Sequence, residues 1–278
     1  MAKITDQDRY VYHEKVKSFI LTTRTLMEKE KRLLVETKKN TPNMPYQKLT
    51  LSDEMLNLTS NYIAINGISQ TVLKTKNEEA LNDARKSLYK AVIYLEEVVS
   101  NYIDVPFSDY EDKLRTIESF DPNQRYNLIR KMGLAIDILE QAYGDNSKWR
   151  WTFVEVEGRF AAAAKNMIDF KNVYVNASSS SPFYESSVYH LRLIKKLLAQ
   201  AADRYREKYE LSTGVTLDFI TGINFLSVLR RIHIVLAESE ESDAIKKKLA
   251  IWSQKLEADT KKQEEVKKQE EVKKKNRV

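Results

Sequence analysis

One stretch of the chain decides the fold class, residues 149–174, which read WRWTFVEVEGRFAAAAKNMIDFKNVY. Its apolar residues recur at alternating intervals of four and three. They are Trp149, Phe153, Val156, Phe160, Ala163, Met167, Phe170 and Tyr174. This period is typical of an α-helix with one buried face, whereas a strand would alternate at every second residue. We therefore predict one continuous helix of about seven turns over residues 149–174.

A second face of this predicted helix carries mostly small side chains. Its residues are Trp151, Val154, Gly158, Ala161 and Ala162. Small side chains let the backbone of a neighbouring helix approach closely, so a helix with both faces suits the centre of a bundle. We expect residues 149–174 to be a central element.

The same periodicity recurs elsewhere in the chain. An unbroken heptad seam joins Leu81, Ala84, Leu88, Ala91, Leu95, Val98 and Tyr102. Shorter seams join Ile129, Met132, Ile136, Leu139 and Tyr143, and then Leu191, Ile194, Leu198, Ala201 and Tyr205. Residues 219–236 contain so many large apolar side chains that we expect that helix to be buried on most sides.

Capping residues and prolines mark the ends of the first helices. We predict a first helix over residues 5–39, a loop over residues 40–51 and a second helix capped by Ser52. A short helix over residues 108–120 is expected before the motif of residues 121–124, Asp-Pro-Asn-Gln. That motif combines an N-cap, a proline at the first helical position and a capping-box glutamine.

The later helix ends follow a similar logic. The serine-rich linker over residues 176–181 leads into the seventh predicted helix, which has Pro182 in its first turn and Gly214 as its expected end. Thr216 is the expected cap of the eighth helix, and the ninth begins at about Ser242.

These patterns predict an all-α protein, one or more bundles of about eight to nine long, mostly antiparallel helices with a charged helical C-terminal tail. Only 6 Gly and 5 Pro interrupt the 278 residues, and no repeat of fixed length is present, which disfavours a solenoid. We predict N-terminal helices over residues 1–104, a C-terminal bundle over 105–256 that is possibly continuous with them, and a Lys/Glu-rich tail over 257–278.

The positive charge of the chain is confined to its end. Residues 246–278 hold 12 Lys or Arg against 6 Asp or Glu, which accounts for the whole net charge of +6 and leaves residues 1–245 neutral. Basic segments without apolar anchoring attract polyanions through counterion release. The tail therefore deserves a functional hypothesis separate from that of the helical body.

The residue types needed for common catalytic sites are scarce or badly spaced. The chain has no cysteine, its six glycines are isolated, and its three histidines form no Glu-x-x-His or His-Glu-x-x-His pair. We predict a protein that is not an enzyme, with no catalytic residues, no cofactor and no metal site. The first residues lack a secretory apolar segment, and no apolar run is long enough to span a bilayer, so we expect a cytoplasmic protein without a transmembrane segment.

One candidate binding groove stands out in the eighth predicted helix. A narrow polar stripe interrupts its apolar surface, formed by Thr221, Asn224, Ser227 and Arg231. The structural interpretation is that the stripe meets solvent, or that Arg231 pairs with a carboxylate of a neighbouring helix. The functional interpretation is a groove that docks a partner segment.

Candidate polyanion contacts lie in the seventh predicted helix and in the tail. They are Arg192, Lys195, Lys196, Lys261, Lys262, Lys267, Lys268, Lys273, Lys274, Lys275 and Arg277. Acidic residues are interspersed in both segments, so a solvated, salt-bridged face is the alternative interpretation.

Two functions follow from these features. The first is a non-enzymatic interaction or scaffold protein that uses helix faces, grooves and the charged tail to bind a protein partner or itself. The alternative is a nucleic-acid-associated or polyanion-binding protein that uses the tail and the cationic seventh helix.

Overall fold

A computed structural model describes residues 4–39, 41–144 and 147–275, except for the side chains of residues 266–268 and 270–275. These residues form ten α-helices and no strand, which confirms the all-α prediction. The helices are α1 Asp6–Thr37, α2 Met44–Val72, α3 Glu78–Val99, α4 Glu111–Arg115, α5 Pro122–Tyr143, α6 Arg150–Asn166, α7 Val173–Asn176, α8 Tyr184–Lys208, α9 Thr216–Val235 and α10 Ser239–Lys275.

The helices form two compact units. The first contains α1 to α7 and the start of α8, up to Arg192, and the second contains the rest of α8 together with α9, α10 and the segment Ile103–Val105. This division differs from the predicted boundary between residues 104 and 105. The contacts do not show which segments fold independently, so the predicted domain boundaries stay predictions.

The core of the first unit is built on α3. Its seam is buried from Leu81 to Val98, as predicted, and packs against α2, α5 and α6. The seam stops one turn earlier than expected, because Ser100 adopts a φ of +89° and ends the helix, leaving Tyr102 outside it and exposed. Asn166 at the end of α6 then donates to the carbonyl oxygens of Ser100 and Tyr102, both at 3.1 Å.

The second helix begins earlier than predicted. The expected loop over residues 40–51 is wrong from residue 44 onward, because Pro45 lies in the first turn of α2, where a missing N–H costs nothing. Ser52 is therefore not a cap. It is buried inside α2, and its hydroxyl donates to the carbonyl of Ala91 on α3 at 2.8 Å, which brings the two helices close together.

The helix that decided the fold class is shorter than its periodicity suggests. The continuous helix over residues 149–174 is wrong after Asn166, where α6 ends, and Val173–Asn176 forms a separate turn of helix. The Asp169 carboxylate accepts the backbone N–H of Lys171 at 3.0 Å, an alternative to helical hydrogen bonding. The small-residue face of α6 is buried at Val154, Gly158, Ala161 and Ala162, and half-buried at Trp151. The expected central position of α6 is therefore confirmed.

The region around residue 120 agrees with the sequence in part. The helix expected over residues 108–120 is reduced to a 3₁₀ turn at Phe107–Asp109 and the five-residue α4. The start of α5 is as predicted, since Asp121 and Gln124 form a reciprocal capping box before the buried seam that ends at Tyr143.

The second unit packs α8, α9 and α10 around aromatic side chains. Tyr209 stacks on Phe219 with ring centroids 5.0 Å apart, and Phe219 lies 5.6 Å from the buried ring of Trp252. A π-helical turn over Tyr209–Thr213 follows α8, and Gly214 ends it in the left-handed conformation, at the expected position. The close approach of α8 to α9 requires Gly222, where a Cβ would lie 2.9 Å from the carbonyl oxygen of Ala202.

One prediction for α9 is wrong. Thr216 is the first helical residue and not the N-cap, and its hydroxyl lies 3.4 Å from the Gln263 side chain. Most side chains of residues 219–236 are buried or half-buried, although Ile234 is 52% exposed. One apolar face of α9 packs on α10. Another face of α9 carries apolar side chains that are exposed. No helix within the described part of the chain is both long and apolar enough to cross a bilayer.

Candidate functional site

The predicted polar stripe of α9 is held by hydrogen bonds within its own unit. The Thr221 hydroxyl donates to the carbonyl of Leu217 at 2.8 Å, and the Ser227 hydroxyl donates to that of Ile223 at 3.0 Å. Arg231 pairs with Asp104 at 2.7 Å, while Asn224 is half-buried. Because these polar groups are engaged, the arrangement favours the structural interpretation, and partner docking at this stripe stays a prediction.

The predicted cationic surface of α8 is largely neutralised. Lys195 contacts the Glu238 carboxylate at 2.7 Å, Lys208 contacts Asp218 at 2.8 Å, and Arg206 contacts Glu210 at 3.0 Å. Lys196 is exposed, and the Arg192 guanidinium lies 6.0 Å from the Tyr189 ring. The contacts therefore favour a salt-bridged face over a phosphate-binding surface.

The tail lysines that the structure describes are exposed on α10. Lys261 and Lys262 both face solvent, near the exposed Glu264 and Glu265. The other tail candidates lie outside the described residues or side chains, namely Lys267, Lys268, Lys273, Lys274, Lys275 and Arg277.

The three histidines occupy separate environments. His13 is exposed on α1, His233 lies 2.6 Å from the Glu238 carboxylate, and His190 is buried on α8. Within the described residues, no group of three or more histidine and carboxylate side chains is placed to hold a metal ion.

A surface groove that sequence reasoning missed lies between α5 and α8. It has a volume of about 410 Å³ and is open to solvent. Its lining residues are Asn123, Tyr126, Arg130, Glu185, Ser186 and Tyr189. We call this the α5–α8 groove.

The walls of the α5–α8 groove are aromatic and cationic. Tyr126 and Tyr189 stack with centroids 6.1 Å apart and ring planes 26° from parallel. The guanidinium of Arg130 lies 5.9 Å from the Tyr126 ring, and that of Arg192 lies 6.0 Å from the Tyr189 ring. Tyr189 remains 47% exposed, and a tyrosine side chain combines an apolar ring with a hydroxyl that forms hydrogen bonds.

His190 fixes α8 beneath the groove. Its Nε2 lies 3.0 Å from the carbonyl oxygen of Ala164 on α6, and its ring lies 6.1 Å from the ring of Tyr126. The pKa of His190 is lowered to about 4, chiefly by burial and in part by the Arg125 charge, while the Ala164 hydrogen bond acts in the opposite direction. The ring is thus neutral at physiological pH, and it donates from Nε2 because a carbonyl oxygen only accepts.

Arg125 fixes the start of α5 in the same region. Its buried guanidinium donates to three carbonyl oxygens, those of Phe120 at 2.6 Å, Ile117 at 3.2 Å and Met167 at 3.3 Å. Burial lowers the pKa of Arg125, while the nearby Asp169 charge acts in the opposite direction. The Met167 carbonyl belongs to the C-terminal end of α6, where the helix dipole favours a cation.

A small polar cavity lies between these two anchors. Its volume is about 30 Å³, and its polar lining consists of Arg125, Asp169, Asn176, Ser187 and His190. Such a space has room for about one water molecule and none for an organic substrate. The side chains of Arg125 and His190 that line it bond to backbone carbonyls and thereby link α5 and α8 to the end of α6.

The comparison with protein families matches residues 8–260 of the chain to the TP0443 family. The chain belongs to the TP0443 family. The α5–α8 groove lies inside the part of the chain shared with this family, and the match to the TP0443 family ends one residue before Lys261. No curated protein and no solved structure matches the chain.

The outer face of α5 extends the groove in this TP0443-family protein. Leu134 is 58% exposed and Ile138 40%, and they follow Tyr126 and Arg130 at intervals of four residues. A sequence signal for this face was available, because Leu134 and Ile138 lie outside the buried seam of their helix. The pairing of Tyr126 with Tyr189 had no such signal, since it joins residues 63 apart in the sequence.

Proposed function

We propose that this protein is a non-enzymatic interaction protein that binds protein partners through the α5–α8 groove and the adjoining outer face of α5. The observation that carries the proposal is the stacked pair of the half-buried Tyr126 and the exposed Tyr189, each with an arginine guanidinium about 6 Å from its ring. Tyrosine and arginine are the residue types most enriched where binding energy concentrates in protein interfaces. They combine large contact area with hydrogen bonding at low conformational cost.

The buried anchors support the proposal because they hold the groove in shape before a partner arrives. Arg125 ties the first turn of α5 to α6, and His190 ties α8 to α6, so both walls of the groove rest on one central helix. A surface that is already ordered loses less entropy on binding.

The same contacts support a binding role over catalysis. The titratable side chains under the groove, His190 and Arg125, are engaged with backbone carbonyls, and their cavity has room for about one water molecule. The proposal includes the cytoplasmic location expected from the sequence, which cell fractionation tests directly.

The test is affinity purification from native extract with three versions of the full chain. We expect the wild-type protein to retain a stoichiometric protein partner, and the double variant Tyr126→Ala/Tyr189→Ala to lose it. The matched control is Tyr10→Ala, because Tyr10 is an exposed tyrosine on α1, away from the groove. Circular dichroism and thermal unfolding establish that all versions are folded.

Two results contradict the proposal. One is a wild-type chain that retains no stoichiometric protein, including its own copies. The other is a partner that the folded double variant retains as well as the wild type does.

A second candidate function is polyanion binding by the tail, which rests on the length of α10. Near the end of its described side chains, α10 contacts the turn after α8 through Gln263, whose side chain donates to the carbonyl of Gly214 at 3.3 Å. The α10 helix continues to Lys275, and its described lysines 261 and 262 are exposed. We expect tail-dependent binding to random-sequence DNA or RNA at low ionic strength. Binding that is undetectable there, or unchanged after deletion of residues 257–278, contradicts this candidate.

A further inference from the structure

We propose that the turn between α8 and α9, together with the basic end of α10, binds the surface of a bilayer that contains anionic phospholipids. The inference goes beyond the α5–α8 groove and uses none of its residues. It is carried by three exposed aliphatic side chains on the turn and by the cations that follow the point where α10 passes it.

The turn exposes its aliphatic side chains. Leu211 is 68% exposed, Val215 51% and Leu217 67%. Leu211 lies in the π-helical turn, and Val215 and Leu217 flank the first residue of α9. A single exposed leucine is common on a protein surface, but several large aliphatic side chains exposed together on one turn indicate a binding surface.

The polar groups of the same turn are engaged with one another. The Thr213 hydroxyl donates to the Asp218 carboxylate at 2.7 Å, and Lys208 contacts the same carboxylate at 2.8 Å. The Gly214 N–H donates to the carbonyl of Tyr209 at 3.0 Å. These bonds hold the turn in shape while its aliphatic side chains remain in solvent.

The carboxylates beside the turn are balanced by cations or hydrogen bonds. Glu210 pairs with Arg206 at 3.0 Å and with Lys255 at 3.4 Å. The Asp259 carboxylate accepts the Tyr209 hydroxyl at 3.0 Å. An anionic surface that approaches the turn therefore meets engaged carboxylates at these positions, which reduces their repulsion.

The α10 helix carries cations past the turn. Gln263 contacts the turn through the Gly214 carbonyl, and α10 continues from there to Lys275, about 18 Å further along its axis. Residues 261–278 contain eight Lys or Arg against four Glu, a net charge of +4. The last cations of the sequence follow one another without an acidic residue between them, namely Lys273, Lys274, Lys275 and Arg277.

This combination of aliphatic and basic groups matches the chemistry of an anionic bilayer. Aliphatic side chains enter the boundary between headgroups and acyl chains, while Lys and Arg are attracted to anionic headgroups. A nucleic acid matches only the cations, because its surface offers phosphates and no acyl layer for the leucines. A second copy of the turn would bring another basic segment close to this one. The bilayer is therefore the partner that suits both features.

The first test measures sedimentation of the full chain with vesicles made of equal parts phosphatidylglycerol and phosphatidylcholine. We expect the wild type to bind and Leu211→Ser/Leu217→Ser to bind about tenfold or more weakly, because two aliphatic side chains no longer enter the interface. The matched control is Ile234→Ser/Ile251→Ser, which should bind as the wild type does. These side chains are 52% and 65% exposed, at the opposite end of α9 and about 18 Å along α10 from Gln263. Circular dichroism establishes that all versions are folded.

The second test removes the same charge from two places on α10. Lys274→Gln/Lys275→Gln removes two cations near its end, and Lys246→Gln/Lys247→Gln removes two exposed cations near its start, about 24 Å before Gln263. We expect the first pair to weaken vesicle binding about tenfold or more and the second to leave it within about twofold. Vesicles of phosphatidylcholine alone should bind the wild type about tenfold or more weakly than the anionic vesicles.

The third test reports whether the turn enters the bilayer. Because the chain has no cysteine, Leu211→Cys provides a single attachment site for a polarity-sensitive fluorophore. We expect its emission to shift to shorter wavelength on anionic vesicles and to stay unchanged on random-sequence DNA. The same fluorophore attached through Ile251→Cys should stay unchanged on both.

Four outcomes overturn the inference. They are a wild-type chain that does not sediment with the anionic vesicles, a folded Leu211→Ser/Leu217→Ser variant that binds them as well as the wild type does, equal effects of the two lysine pairs, and a Leu211→Cys label whose emission does not shift. Binding to DNA without binding to the anionic vesicles assigns the basic segment to nucleic acid instead. Each of these outcomes leaves the test of the α5–α8 groove unaffected, because that test uses other residues.

Discussion

The buried His190 makes the stability of the first unit depend on pH in a way that one substitution removes. The pKa of this ring is about 4 in the folded protein because of burial, against 6.5 in its ordinary state. Between these two values the unfolded chain binds a proton at His190 and the folded chain does not. Acid therefore favours unfolding as the pH falls from about 6.5 to about 4, and the loss stops below that range.

The size of the effect follows from the pKa difference. One pKa unit corresponds to about 1.36 kcal/mol, so the full loss at low pH is about 3 kcal/mol. By about pH 5 the wild-type protein has lost about 2 kcal/mol of unfolding free energy through this ring. The variant His190→Gln keeps an amide donor for the Ala164 carbonyl and does not titrate, so it lacks this share of the pH dependence.

Urea unfolding at several values between about pH 7 and about pH 5, followed by circular dichroism, measures this dependence. We expect the variant to be less stable than the wild type at neutral pH, by about 1 kcal/mol, and more stable than the wild type by about 1 kcal/mol at about pH 5, because the wild type has by then lost about 2 kcal/mol through this ring. His13→Gln is the matched control, because it replaces an exposed histidine on α1. Equal pH dependence in the wild type and His190→Gln would refute this account of the groove floor.

Three further predictions concern packing. Arg125→Met removes hydrogen bonds to three carbonyls and should lower the unfolding free energy by about 2–4 kcal/mol, measured by urea titration; a loss below about 0.5 kcal/mol contradicts the anchoring role. Gly222→Ala should cost about 1–3 kcal/mol, because its Cβ would meet the Ala202 carbonyl, whereas Gly67→Ala, with open space around it in α2, should stabilise by about 0.5–1 kcal/mol. Leu134→Ala should change stability by less than about 0.5 kcal/mol, because the side chain is exposed; a larger loss would show that it packs within its own unit.

Local sequence features predicted the helices well because they depend on neighbours in the chain. The capping box of Asp121 and Gln124 and the buried seam of α3 both arise from residues within a few turns of each other. The left-handed conformation of Gly214 follows from glycine alone.

The errors arose where distant residues decide the backbone. The α6 helix ends at Asn166 although its apolar period continues, and there the carbonyl of Met167 accepts a hydrogen bond from the distant Arg125. The sequence prediction placed the start of α2 too late because serine is a common capping residue. Ser52 instead lies inside α2, and its hydroxyl donates to a backbone carbonyl of α3. Periodicity cannot report such contacts.

The candidate site was missed for the same reason. Tyr126 and Tyr189 lie on separate helices, and neither belongs to a motif. The polar stripe of α9 attracted attention because polar residues interrupt an apolar helix, yet two of its hydroxyls bond within that helix and Arg231 bonds to Asp104. Composition identifies an unusual stripe, but only the contacts show whether its polar groups are engaged.

The central claim is that the α5–α8 groove is the partner-binding surface, and site-specific photo-cross-linking in living cells tests it most directly. A photoreactive amino acid replaces Tyr189, which is 47% exposed, in one version of the chain and Tyr10 of α1, which is 63% exposed, in another. The account predicts a discrete protein adduct, with another protein or a second copy of the chain, at position 189 and none at position 10. Adducts at position 10 alone, or at neither position, would contradict it.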